Sequence, residues 1–241
     1  MLSKRSLDKV KFYFMKYFEK FLNFKGYGNP SNSYWFVGIE EAKEFSEKII
    51  KGDHYLEPIN CLKASEENND EHRKSQIYQI ITKLMVKIYP EFNYEKYWNT
   101  KLFRCDGDIF LTNLFPLSKP KIISKFPKHY IDLFGKENLD NYYQITRNKR
   151  WKELYKFWHK EKPRITICFG KTYWNEFADL FQLSINEFND ISAELELQSG
   201  SVKTNGRIIL TKFFTYQRGM MKEDNINKIA AFIKKTTVAK Q

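Results

Sequence analysis

Two adjacent carboxylates, Glu40 and Glu41, stand directly after the apolar run Tyr34-Trp35-Phe36-Val37 and a glycine, Gly38. A carboxylate released at the end of a buried strand can orient a water, act as a general base or stabilise a developing cation. The same two acids would also favour the positive N-terminus of a helix starting at Ala42. As a glycosidase-type carboxylate pair they rank last, because neighbouring residues in extended chain point in divergent directions.

Three further apolar runs end in the same way. Asp108-Ile-Phe-Leu-Thr-Asn-Leu-Phe-Pro116 carries Asn113, whose amide offers an acceptor and two donors and so suits the edge of a base. A lone Asn in such a place is also a common turn former. Arg164-Ile-Thr-Ile-Cys-Phe169 is followed by Gly170-Lys171-Thr172. A phosphate loop would need a further glycine where Ile165 stands, so a nucleotide triphosphatase is rejected. Lys171 at a helix start still suits a phosphate or carboxylate. Gly206-Arg-Ile-Ile-Leu-Thr-Lys-Phe-Phe214 leads into Thr215-Tyr216-Gln217-Arg218-Gly219, with aromatic and polar groups together.

The elements that must position these groups follow from periodicity. The four runs are β-branched and aromatic, as strands are. Between them lie stretches with helical spacing: Leu7 to Phe24, Ala42 to Ile50, Ser75 to Tyr89, the Trp151-Leu154-Tyr155-Trp158 segment, a helix from Tyr173, and a last one holding Ile226, Ile229, Ala230 and Ile233. Gly26 to Asn32 reads as a Gly/Asn/Pro loop. Strands alternating with helices predict an α/β fold, three-layer α/β/α, with a four-stranded parallel central sheet. Open sheets of this kind bind ligands beyond the carboxyl ends of their strands. Glu40, Glu41, Asn113, Lys171, Gln217 and Arg218 would all gather there.

The chain has 241 residues and a net charge of +12, which fits one α/β domain with a polyanionic partner, nucleic acid before an anionic membrane surface. Excess Lys on a solvated face is the plainer account of the charge. Residues 117–162 form a basic and aromatic insertion, including Tyr142-Tyr143 and Arg147-Asn-Lys-Arg150. Cations interleaved with rings suit a surface that tracks a phosphate backbone and stacks bases, or an ordinary solvated helix with aromatic anchors. Cys61, Cys105 and Cys168 are odd in number and widely spaced, matching neither a disulfide framework nor a zinc pattern. Asp53-His54 lacks a third ligand, so no metal and no cofactor is expected. With no apolar segment long enough to be a leader or a membrane span, a cytoplasmic protein is expected.

The ordered landmarks Gly38-Ile39-Glu40-Glu41-Ala42, Asn113, Phe169-Gly170-Lys171 and Phe214-Thr215-Tyr216-Gln217-Arg218 resemble those of the uracil-DNA glycosylase superfamily. In that family the first motif reads Gly-Gln-Asp-Pro-Tyr or Gly-Ile-Asn-Pro-Gly, and its Asp or Asn positions the attacking water. The resemblance puts Glu40 at that position, with Glu41 where the family has Pro, and Asn113 at the base-reading position of the second strand. The final His-Pro-Ser motif is not kept, since Phe213-Phe214-Thr215 occupies that strand end. The resemblance implies a DNA glycosylase acting on a uracil-type or modified base, with Phe214 and Tyr216 stacking or wedging. Lys171, Gln217 and Arg218 would meet DNA phosphate or the departing base. A non-catalytic module that binds nucleic acid or a modified base, and a hydrolase of free nucleosides, are the alternatives.

Overall fold

The computed structural model describes residues 18–31, 34–40, 59–61, 73–117, 125–192, 197–202, 206–212, 214 and 222–238. Residues 18–23 are helical and end the first expected helix. In chain order there follow β1 (Gly26–Gly28), β2 (Tyr34–Gly38), β3 (Ile59–Asn60), α1 (Gln76–Ile88), α2 (Tyr94–Thr100) and β4 (Ile109–Asn113). Next come α3 (Lys128–Phe134), α4 (Lys136–Asp140), α5 (Tyr142–Thr146), a π-helical turn (Arg147–Trp151) and α6 (Lys152–Glu161). The chain then forms β5 (Ile165–Phe169), α7 (Trp174–Leu180), β6 (Asn189–Ser192), β7 (Leu197–Val202), β8 (Gly206–Thr211) and α8 (Glu223–Val238).

The fold is α/β, but its sheet is not the expected four-stranded parallel one. Eight strands run in the order β3-β1-β4-β2-β5-β8-β7-β6, and the sheet is mixed. The four strands expected from apolar runs, β4, β2, β5 and β8, are neighbours in its middle. β5 pairs parallel with β2 and with β8, with Phe36 opposite Ile167 and Ile167 opposite Ile209. The strands absent from the periodicity pair antiparallel: β1 with β4, β7 with β8, and β6 with β7. Their sequences explain why. β1 is Gly-Tyr-Gly, of low strand propensity. Gly28 adopts φ +91°, and a Cβ there would stand 2.4 Å from the Ile109 carbonyl oxygen. What reads as a loop is a strand held close to β4 because its glycines permit the approach. β6 and β7 carry mostly polar residues and lack a continuous apolar signal.

The chain divides into two compact units. The larger comprises residues 27–38, 61–112 and 158–241. Its core is the apolar stretch of the parallel strands, with Phe36, Val37, Ile167, Cys168 and Ile208 to Leu210 fully buried. Thr166, polar and buried on β5, accepts a hydrogen bond from the Trp158 indole at 2.8 Å. Ser75 caps α1, accepting from the Tyr78 N–H, and α1 packs on α8 through Ile80, Ile81, Leu84 and Met85 against Ile226, Ile229 and Ile233. Cys61 and Cys105 form a disulfide across a separation of 44 residues. This corrects the reading that the three cysteines match no disulfide framework. A spacing that long leaves no local signature, so the pairing exists only once the fold brings the two together. Cys168 is free and buried.

The smaller unit comprises residues 1–26, 39–60 and 113–157. Its core is aromatic. Phe21 meets Phe134 edge-on at 5.6 Å, and Tyr142 lies among Phe18, Phe115 and Phe126. The rings of the basic and aromatic insertion are thus mostly interior. Tyr130, Tyr142, Trp151 and Leu154 are buried, Tyr155 is half-buried, and the cations Arg147, Lys149, Lys152 and Lys156 are exposed. Among the described residues no helix is long and apolar enough to cross a membrane.

Candidate functional site

Glu40 follows β2 by two residues and is only 6% exposed. Its neighbour Ile39 accepts a hydrogen bond at 2.8 Å from the Phe115 N–H, two residues beyond Asn113. This bond sets the chain leaving β2 beside the chain leaving β4, so the backbone just before Glu40 lies beside the backbone just beyond Asn113. Asn113 is half-buried at the last position of β4.

Behind these exits stands the α5–π-turn segment. Tyr142 is fully buried, and its hydroxyl accepts from the Leu117 N–H at 2.8 Å. Burial raises its pKa well above the ordinary phenol value, opposed by the Leu117 bond and reinforced by the negative charge of Glu40. Tyr143 is half-buried, with its ring edge-on to Phe115 at 4.8 Å. Burial first, and the charge of Glu40 second, push its phenol up to about 12. Both tyrosines therefore stay protonated near neutrality and feel the Glu40 carboxylate.

A buried cation ties the segment to the strand exit. Arg150 is 3% exposed, and its Nε and Nη2 donate to the Asn113 carbonyl at 3.3 and 3.0 Å. Its Nη1 donates to the carbonyls of Leu22, at 3.3 Å, and of Phe24. Burial pulls the guanidinium down to about 10, which leaves it charged at neutral pH. One step further on, the Trp151 indole donates to the Leu114 carbonyl at 3.2 Å. The π-helical turn explains the division of labour within Arg147-Asn-Lys-Arg150. Widening the helix by one residue keeps Arg147, Asn148 and Lys149 outside while Arg150 and Trp151 turn inward.

The other expected site residues fall elsewhere. Lys171 is exposed in the larger unit, in a short 3-10 turn (Lys171–Tyr173), with its Nζ 5.9 Å from the Trp174 ring. Gly170, with φ +142°, donates to the Thr211 carbonyl at 2.9 Å and so joins the ends of β5 and β8. Phe214, expected to stack on a base, is fully buried, lying parallel to Phe169 at 4.7 Å and near Phe36. Its surroundings are those of a core residue. Glu41, Tyr216, Gln217 and Arg218 lie outside the described residues, as does Asp53-His54. Among the described residues no group of three His, Cys, Asp or Glu side chains is placed to hold a metal ion.

Sequence reasoning missed Tyr143, Phe115 and Arg150 as parts of the site. A signal for Arg150 was present: it continues the buried spacing Tyr142, Thr146, Arg150, Leu154 along one side of the helix. No family model matches the chain, and no curated protein matches it.

Proposed function

We propose that this protein is a DNA glycosylase-like enzyme that flips a uracil-type or modified base from the stack and hydrolyses its N-glycosidic bond. The observation that carries the reading is the buried Glu40 carboxylate beside Asn113 at the paired strand exits, with the half-buried ring of Tyr143 within its electrostatic reach. Breaking the bond between the sugar C1′ and the base nitrogen leaves positive charge on the sugar and negative charge on the base. Glu40 stabilises the sugar cation and orients a water, which adds to C1′ and passes its proton to the Glu40 carboxylate, and the departed base anion finally takes up that proton. Asn113 reads the base edge through its amide. Tyr143, backed by Phe115, replaces Phe214 as the aromatic wall that recovers part of the few kcal/mol lost on unstacking. By the family resemblance, Gln217 or Arg218 would supply the hydrogen bond to the departing base and Lys171 a contact to DNA phosphate. Glu41, which by the resemblance stands where the family has Pro, would support Glu40.

The three-layer arrangement and a cytoplasmic location belong to the same proposal. In a reducing cytoplasm the Cys61–Cys105 pair would stand as two thiols.

A gel assay on duplexes containing deoxyuridine and a panel of modified bases tests the reading. Wild type should leave abasic sites on at least one substrate, and Glu40→Gln should lower the rate by about 100-fold or more, the scale of one lost charge-stabilising or acid–base group. Absence of abasic sites on every substrate, or equal rates for the variant, would sink it. A second reading, binding without cleavage, is favoured by the missing His of the final family motif. It predicts salt-dependent DNA affinity with no product.

A further inference from the structure

Arg147 and Trp151 meet across the π-helical turn, and Trp151 and Tyr143 share contact with Phe115. The Tyr143 ring sits on Phe115, and so does that of Trp151, at 5.8 Å. The Trp151 indole is anchored to the Leu114 carbonyl, one residue beyond Asn113. Over the face of Trp151 lies the Arg147 guanidinium, 5.4 Å from the ring centroid, on a side chain that is exposed. A planar cation is thus held on a fixed aromatic platform at the border of the candidate site. Buried Arg150, in the same turn, holds that segment to the Asn113 carbonyl.

We infer that Arg147 is a phosphate-binding residue of this site, gripping a DNA phosphodiester next to the nucleotide whose base lies against Tyr143. The inference rests on the reading of Glu40 and Asn113 as a base-binding site. Its chemistry is independent of bond cleavage. A guanidinium offers two parallel N–H donors that match two phosphate oxygens, and the cation–π contact with Trp151 restricts the side chain before the ligand arrives, so less freedom is lost on binding. Within the π-helical turn Arg147 is exposed while Arg150 is buried. Lys149 is also exposed, but two residues from Arg147 it cannot share the Arg147 side of the helix. It serves as the control cation.

The test reads binding and not excision. Fluorescence anisotropy with a deoxyuridine duplex and its single strand is followed against salt concentration, in the Glu40→Gln background so that turnover plays no part. Arg147→Ala should weaken binding several-fold and lower the slope of log affinity against log salt by about 0.9 on duplex or about 0.7 on single strand, the value for one phosphate contact. Arg147→Lys should keep the slope and lose affinity, because charge remains while the fork does not. Lys149→Ala should change neither. An unchanged slope in Arg147→Ala, an equal loss in Lys149→Ala, or no DNA binding by the parent protein would each overturn the inference. Lack of excision with Arg147-dependent binding would instead count against the catalytic reading alone. Thermal melts of the variants, whose side chains are exposed, confirm that each is folded.

Discussion

Arg150 offers the sharpest test of how the site is held. The perturbation is Arg150→Met, which keeps the apolar stem and removes the guanidinium. Two buried carbonyls, those of Leu22 and Phe24, and the part-buried carbonyl of Asn113 lose their charged donors. At about 1–2 kcal/mol for each acceptor left unsatisfied, the loss is about 3–6 kcal/mol. Removing the cation also relieves its own burial cost, which burial signals by pulling the group down to about 10. That relief offsets part of the loss and leaves about 3 kcal/mol. At about 2.1 cal/mol/K of unfolding entropy per residue, a chain of 241 residues melts about 6 °C lower for that loss. Arg150→Lys should fall between the two, because an ammonium reaches fewer of the carbonyls from one position. The assay is thermal and urea unfolding of wild type and both variants. A melting point for Arg150→Met within about 1 °C of wild type would refute the argument that this guanidinium ties the strand exit to the end of the first helix.

Further consequences are checked in the same way. Cys61→Ser opens a cross-link spanning 44 residues, worth about 4 kcal/mol in chain-entropy terms, so melting should fall and a reductant should reproduce the fall on wild type. A melting point insensitive to reductant in fully oxidised protein would count against a stabilising disulfide. At alkaline pH, Tyr143 titrates near 12 folded against an ordinary value of 10.0, so the unfolded chain holds fewer protons across that window. Stability should therefore fall as pH rises from 10 through 12, and Tyr34, Tyr89, Tyr97 and Tyr142, all raised by burial, add to the same trend. Arg150, lowered to about 10 from 12.5, works in the opposite sense, because above 10 the unfolded chain binds more protons. Arg150→Met should thus show a steeper alkaline decline than wild type. A denaturant midpoint that rises between pH 10 and 12 in wild type would contradict the assigned signs.

What the residues alone determined is the centre of the sheet and the place of the first two site groups. The runs ending at Val37, Asn113, Phe169 and Thr211 are apolar enough to be strands in any fold that buries them, and they are. A polar group placed just beyond such a run must appear at the sheet's carboxyl edge, because the chain emerges there; Glu40 and Asn113 did. The spacing Ile80, Ile81, Leu84, Met85 likewise predicted α1, and Ile226, Ile229, Ile233 predicted α8, since one helical face must find apolar cover.

Tertiary structure decided the rest, for a common reason: long-range neighbours are not written in local spacing. Gly26-Tyr27-Gly28 has the composition of a loop, and only the closeness of β4 makes it a strand. Cys61 and Cys105 are unremarkable until folding sets their Cα atoms 5.5 Å apart. Phe214 has the chemistry of a stacking residue and the surroundings of a core one. Arg150 and Arg147 belong to one basic cluster in sequence. A single π-helical turn sends one inward to three carbonyls and leaves the other on the face of Trp151, toward solvent.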